Sequence, residues 1–139
     1  MALRIVIAVV LFVLLAGVAW WLERRRRQDA PTQASTAPPV QLDRGDFPHP
    51  EKPWLVVLFT SESCASCEGL YDKAAPLESS DVAVAEAEYT RQRAIHDRYK
   101  IAIAPLTLVA DRDGVVRASF AGAFDAADLW NEVAALRQG

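Results

Sequence analysis

Little in this chain could build a metal centre or a cross-linked scaffold. Its 139 residues include two cysteines, two histidines and one methionine. Both cysteines fall in one short stretch, "FTSESCASCEGL", so no disulfide framework can staple the fold. A zinc site on two thiolates would also need His49 and His96, one in a proline-rich segment and one in a polar helical segment. Copper(I) suits a pair of soft thiolates, yet Met1 is the only thioether available to support it. Basic residues are scarce in the C-terminal part: residues 40–139 carry 16 acidic against 10 basic side chains, a formal −6. Such a domain is a poor match for nucleic acid. Internal repeats are absent as well.

One long apolar run is present. Ile5 to Leu22, "IVIAVVLFVLLAGVAWWL", holds 18 residues without a charge. As a helix it would reach about 27 Å at ~1.5 Å per residue, enough for a bilayer core. Trp20 and Trp21 fall at its end, where amphipathic aromatics favour the headgroup zone. A cleaved signal peptide is the competing reading. Against it, the run is long, Arg4 alone makes a meagre positive start, and Trp20-Trp21-Leu22-Glu23 is a poor cleavage site. The organisation expected is an anchor with a basic flank over residues 1–27, a flexible Ala/Pro/Thr/Ser linker over 28–39, and one domain over 40–139. Four arginines, Arg24 to Arg27, follow the span, against Arg4 and the amino terminus before it. The positive-inside rule therefore predicts a cytoplasmic domain, with an extracytoplasmic one as the alternative.

Within the domain, "WLVVLF" (Trp54 to Phe59) has the continuous apolar pattern of a strand buried on both faces. A helix is expected from Cys64 to about Ala75, closed by Pro76. "DVAVAEAEY" (Asp81 to Tyr89) alternates as a second strand, and Thr90 caps a polar helix running to Lys100. "APLTLVA" (Ala104 to Ala110) and "VVRASF" (Val115 to Phe120) read as a hairpin around "DRDG". Asp125 caps a last helix to about Arg137, and "VQLDRGDF" (Val40 to Phe47) adds a possible front strand. Strand–helix–strand implies a parallel crossover, so the class is α/β with a mixed sheet.

A cysteine at a helix start meets unpaired backbone N–H groups, which favour thiolate and predict a Cys64 pKa below the free-thiol value of about 8.5. Three-residue spacing brings Cys67 onto the same face, close enough for a disulfide. In that geometry Cys64 is the attacking thiolate and Cys67 resolves the mixed disulfide. Two inert thiols would not need a serine-rich strand–helix junction.

"VVLFTSESCASC", "YKIAIAPLTLVADRDGVV" and "FAGAFDAADL" together resemble the thioredoxin family, across essentially all of residues 40–139. The resemblance implies a thioredoxin-like fold, a central sheet flanked by helices, and thiol–disulfide oxidoreductase activity without an organic cofactor. It implies Cys64 as nucleophile and Cys67 as resolving cysteine. Pro105 matches the family's cis-proline, Ala104 the residue whose backbone pairs with substrate, and Gly122 the glycine that admits substrate to the groove. Partners implied are protein thiols or disulfides at the membrane and a reductase or oxidase that recycles the pair. Departures stand beside the match: Ser63 replaces a tryptophan, Ala65-Ser66 a Gly-Pro, Asp72 a kink proline, and Leu58 a buried aspartate. Without that aspartate, deprotonation of Cys67 falls to water or another group; Glu62 and Glu68 are candidates, read otherwise as solvated charges. Two rival functions are a copper metallochaperone and a redox-inactive module that binds through the groove by Pro105.

Overall fold

The computed structural model describes residues 37–139, with residues 1, 7, 10 and 12–19 of the amino-terminal stretch. The chain divides into two compact units, Met1–Ser35 and Thr36–Gly139. Residues 12–19 are helical and exposed. Among the described residues no helix is long and apolar enough to cross a membrane. Positions 5, 6, 8, 9, 11 and 20–22 of the expected anchor, the arginine run and the linker through residue 36 lie outside the described residues.

The domain is built on a four-stranded mixed sheet in the order β2-β1-β3-β4. Strand β1 (Trp54–Thr60) is buried on both faces past Trp54, as a central strand with no polar side chain before Thr60 must be. It pairs in parallel with β2 (Val82–Glu88), from Trp54 opposite Val82 to Thr60 opposite Glu88. On its other side it runs antiparallel to β3 (Leu106–Ala110), which forms the expected hairpin with β4 (Val116–Ala121). Helix α1 (Leu70–Ala74), α2 (Arg93–Arg98) and α3 (Ala126–Gln138) cover the sheet.

Side-chain alternation divides the core into two layers. Leu55, Val57 and Phe59 pack with Leu106, Leu108, Phe47, Ile95 of α2 and Tyr99 just after it. Val56 and Leu58 pack on the opposite face with Leu70 and Ala74 of α1 and Leu129 and Val133 of α3. Trp130 does not join them; it is 41% exposed and its ring N–H donates to the Lys73 carbonyl.

Three expected elements take other forms. The front segment is not a strand: Gln41 makes an isolated bridge to Val115, and Arg44–Asp46 form a 3-10 turn capped by the Asp43 carboxylate. Buried Arg44 explains this, because its guanidinium gathers the carbonyls of His49, Lys52 and Asp111 and pulls the chain across the sheet. Thr90 does not cap α2, whose capping position is Gln92. The third case, the helix from Cys64, belongs to the site.

Strand β2 lies at the sheet's edge, yet some of its outward backbone groups are taken. The N–H of Val84 donates to the Glu78 carboxylate at 2.7 Å, and the carbonyl of Val82 accepts from Ser79 N–H at 3.0 Å.

Candidate active site

Where β1 ends, the chain turns sharply, with Cys64 N–H donating to the Ser61 carbonyl at 3.0 Å. Cys67 N–H then reaches back to the Cys64 carbonyl and Glu68 N–H to that of Ala65, the i to i+3 pattern of a 3-10 turn over Ala65–Cys67. Glu68 leaves helical geometry at φ −59°, ψ 129°, and Gly69 adopts a left-handed φ of +74° before α1 starts at Leu70. The continuous helix expected from Cys64 to Ala75 is therefore broken into a 3-10 turn, a five-residue α-helix and a second 3-10 turn at Ala75–Leu77. A glycine that can adopt positive φ permits the break. This removes the α-helix N-terminus that was expected to acidify Cys64.

Cys64 and Cys67 form a disulfide with Cα atoms 5.3 Å apart. Both are half-buried. The Sγ of Cys64 lies 3.5 Å from the Ser66 hydroxyl, and Ser61 and Ser63 hydroxyls are bonded to each other at 3.0 Å. Beside the pair is a cavity of about 290 Å³, lined by both cysteines, Thr60, Ser61, Ala65 and the carboxylates Glu62, Glu68 and Glu88.

Glu88 is the residue that sequence reasoning missed. It is only 5% exposed, and its carboxylate accepts the backbone N–H groups of Thr90 and Arg91 at 3.0 Å each. Those N–H groups, Thr90's first, outweigh burial and hold its carboxyl below the usual range. Parity alone did not mark it: Glu88 shares the parity of Val82 and Val84, which are buried, but so does exposed Glu86. Glu86, of the same parity, accepts the Thr60 hydroxyl at 2.8 Å.

The other expected site residues gather at the same end of the sheet. Leu106 stands opposite Phe59 at the end of β1, so the segment leading into β3 sits beside the cysteine loop. The Ala104–Pro105 bond is cis, as the resemblance implies. Pro105 is buried and Ala104 exposed. The Pro105 carbonyl accepts from Gly122 N–H at 2.8 Å, and Gly122 has φ +87° with open space where a side chain would project. His96 and His49, considered as metal ligands, are engaged elsewhere: His96 is buried with Nε2 2.7 Å from the Ala87 carbonyl, and His49 pairs with Glu51.

Solved structures carry the comparison further. The domain is similar to the germline-specific thioredoxin Deadhead of Drosophila melanogaster, with 26% identity and a TM-score of 0.53, over 63% of this chain and 84% of that one. It is also similar to a mutant thioredoxin from Halobacterium salinarum, at 22% identity and TM-score 0.52, over 59% and 73% of the two chains. A thioredoxin from Fasciola hepatica matches at 21% and 0.51, over 59% and 79%. No family model matches the sequence, and no curated protein matches it. A redox-type cysteine pair on this sheet defines a thiol–disulfide oxidoreductase. By fold and by likeness the chain is a thioredoxin-like protein.

Proposed function

We propose that this chain exchanges electrons with protein thiols and disulfides at a membrane, with residues 5–22 as its anchor. The carrying observation is the Cys64–Cys67 disulfide at the strand end where cis Pro105 and Gly122 also meet. When the pair acts as reductant, the Cys64 thiolate attacks one sulfur of a substrate disulfide. That bond breaks, and the departing sulfur takes a proton. Cys67, deprotonated, then attacks Cys64 Sγ; the second substrate sulfur leaves and is protonated. Two electrons have passed to substrate, and a dithiol donor must restore the pair. Ala104 and Gly122 offer an exposed backbone and an open approach for an extended substrate segment.

Turnover of a protein disulfide in the presence of dithiothreitol tests the reading. Cys64→Ser should abolish it, and Cys67→Ser should accumulate mixed disulfides in cells. Full activity in Cys64→Ser, or stoichiometric copper(I) binding without turnover, would refute it. The arginine run supports a cytoplasmic domain. Alkaline phosphatase activity from a fusion after Gly139 would instead place the domain outside.

A further inference from the structure

The turn that carries the cysteines commits three of its backbone donors to its own carbonyls. Cys64 N–H is taken by Ser61, Cys67 N–H by Cys64 and Glu68 N–H by Ala65. Helix α1 begins only at Leu70, past both cysteines. Among the described residues, one side-chain group lies within hydrogen-bond distance of a cysteine sulfur: the Ser66 hydroxyl, 3.5 Å from Cys64 Sγ. In the disulfide that sulfur carries no proton, so the serine O–H is the donor. The other two serines of the loop are engaged elsewhere, Ser61 and Ser63 bonding each other at 3.0 Å.

The broken helix is what makes this contact. On a continuous α-helix, side chains two positions apart lie on different faces. Here Cys64 is the extended residue that caps a 3-10 turn over Ala65–Cys67, at φ −94° and ψ 100°, and Ser66 reaches back to it.

We propose that Ser66 is a catalytic residue of this pair, donating its hydroxyl to Cys64 Sγ whenever that sulfur carries the charge. The inference rests on the oxidoreductase reading above and adds a donor to it. Cys64 is anionic at two points of the cycle. In the first it attacks a substrate sulfur: the substrate S–S bond breaks and one to Cys64 forms. The second comes when a dithiol restores the pair. One donor thiolate attacks Cys64 Sγ, and Cys67 leaves and takes a proton. The other donor thiolate then attacks the donor sulfur held by Cys64; the donor becomes a disulfide, two electrons have passed, and Cys64 leaves as thiolate. A hydrogen bond to an anionic sulfur is stronger than one to a neutral disulfide sulfur, so the hydroxyl favours the charged form at both points.

The test is the pH profile of Cys64 alkylation by iodoacetamide in the reduced full-length protein, read at Cys64 by mass spectrometry. Ser66 is exposed, so replacing it disturbs no packing. Serine to alanine also leaves in place Glu62, Glu68 and Glu88, the charged groups lining the adjoining cavity, so the difference reads the hydroxyl. Ser66→Ala should lower the acid constant of Cys64 about three- to tenfold, moving the midpoint up by about half to one pH unit. Ser66→Thr keeps an O–H and should recover most of the shift, while Ser63→Ala should leave the midpoint where wild type has it. At about pH 9, where the thiolate prevails, Ser66→Ala should also move the equilibrium with glutathione severalfold toward the protein disulfide. A midpoint unmoved in Ser66→Ala, one moved as far in Ser63→Ala, or no recovery in Ser66→Thr overturns the inference alone. Failure of wild type to exchange with glutathione at any pH overturns the oxidoreductase reading and this inference with it.

Discussion

Gly122 and Pro105 are joined by one backbone hydrogen bond of 2.8 Å, between two segments that the sequence separates by seventeen positions. The bond fixes the loop after β4 against the proline that leads into β3. Gly122 holds φ +87°, where a side chain is strained, and its missing Cβ would face open space. Gly122→Val should therefore slow reduction of a protein disulfide at least several-fold while sparing reduction of a small disulfide such as oxidised glutathione. Equal loss on both substrates in a steady-state assay would show that Gly122 does not serve substrate approach.

Thr107 stands directly opposite Leu58 in the register of β3 and β1, and both are fully buried. The Thr107 hydroxyl finds no hydrogen-bond partner among the described residues. An unsatisfied buried hydroxyl costs about 1–3 kcal/mol relative to a satisfied one. Thr107→Val, nearly the same shape, is expected to be neutral or to stabilise by about 1 kcal/mol in urea denaturation. A loss of 2 kcal/mol or more would mean that the hydroxyl is bonded in solution.

Asp111 ties the hairpin turn together. Its carboxylate accepts N–H groups of Asp113 and Val115 at 3.0 Å and the Arg117 guanidinium at 2.7 Å. Burial pushes its pKa up, but Arg117 and the Val115 and Asp113 N–H groups outweigh it, so the net direction is down. A folded pKa below the unfolded one gives stability that is complete above the unfolded value of about 3.9 and is lost as pH falls through the folded value. Asp111→Asn should cost about 1–3 kcal/mol at pH 7, with the gap from wild type closing below about pH 4. A gap independent of pH in thermal melts would contradict this.

Leu129 carries much of the contact between α3 and the sheet. It is fully buried with Val56, Leu58, Leu70 and Val133 around it. Leu129→Ala should destabilise the domain by about 2–5 kcal/mol, measured by denaturant unfolding.

The strands were legible because their signals are local. Trp54–Phe59 is uniformly apolar, and β2, β3 and β4 each lie within a residue or two of their pattern. The cysteine pair and the cis bond were legible through spacing and resemblance. The break after Cys67 was hidden because Gly69 was read as an ordinary helical position, whereas its left-handed φ decides the local path. Glu88 was hidden for a different reason: its partners are backbone N–H groups two and three residues ahead, in the turn after the strand. Arg44 likewise owes its burial to three carbonyls from two other loops. No periodicity in the chain announces such contacts.

The way Glu78 closes the margin of the sheet bears on self-association. A strand from a second copy that extended the sheet at this edge would add hydrogen bonds along β2, and the Val84 rung is already occupied. Lys52 pairs with the same carboxylate. Burial raises the Glu78 pKa, while Lys52 and the Val84 N–H together bring it below the ordinary value, so the plug stays charged through the neutral range. A second copy meeting the sheet along β2 would thus find a charged seam there instead of a bare ladder.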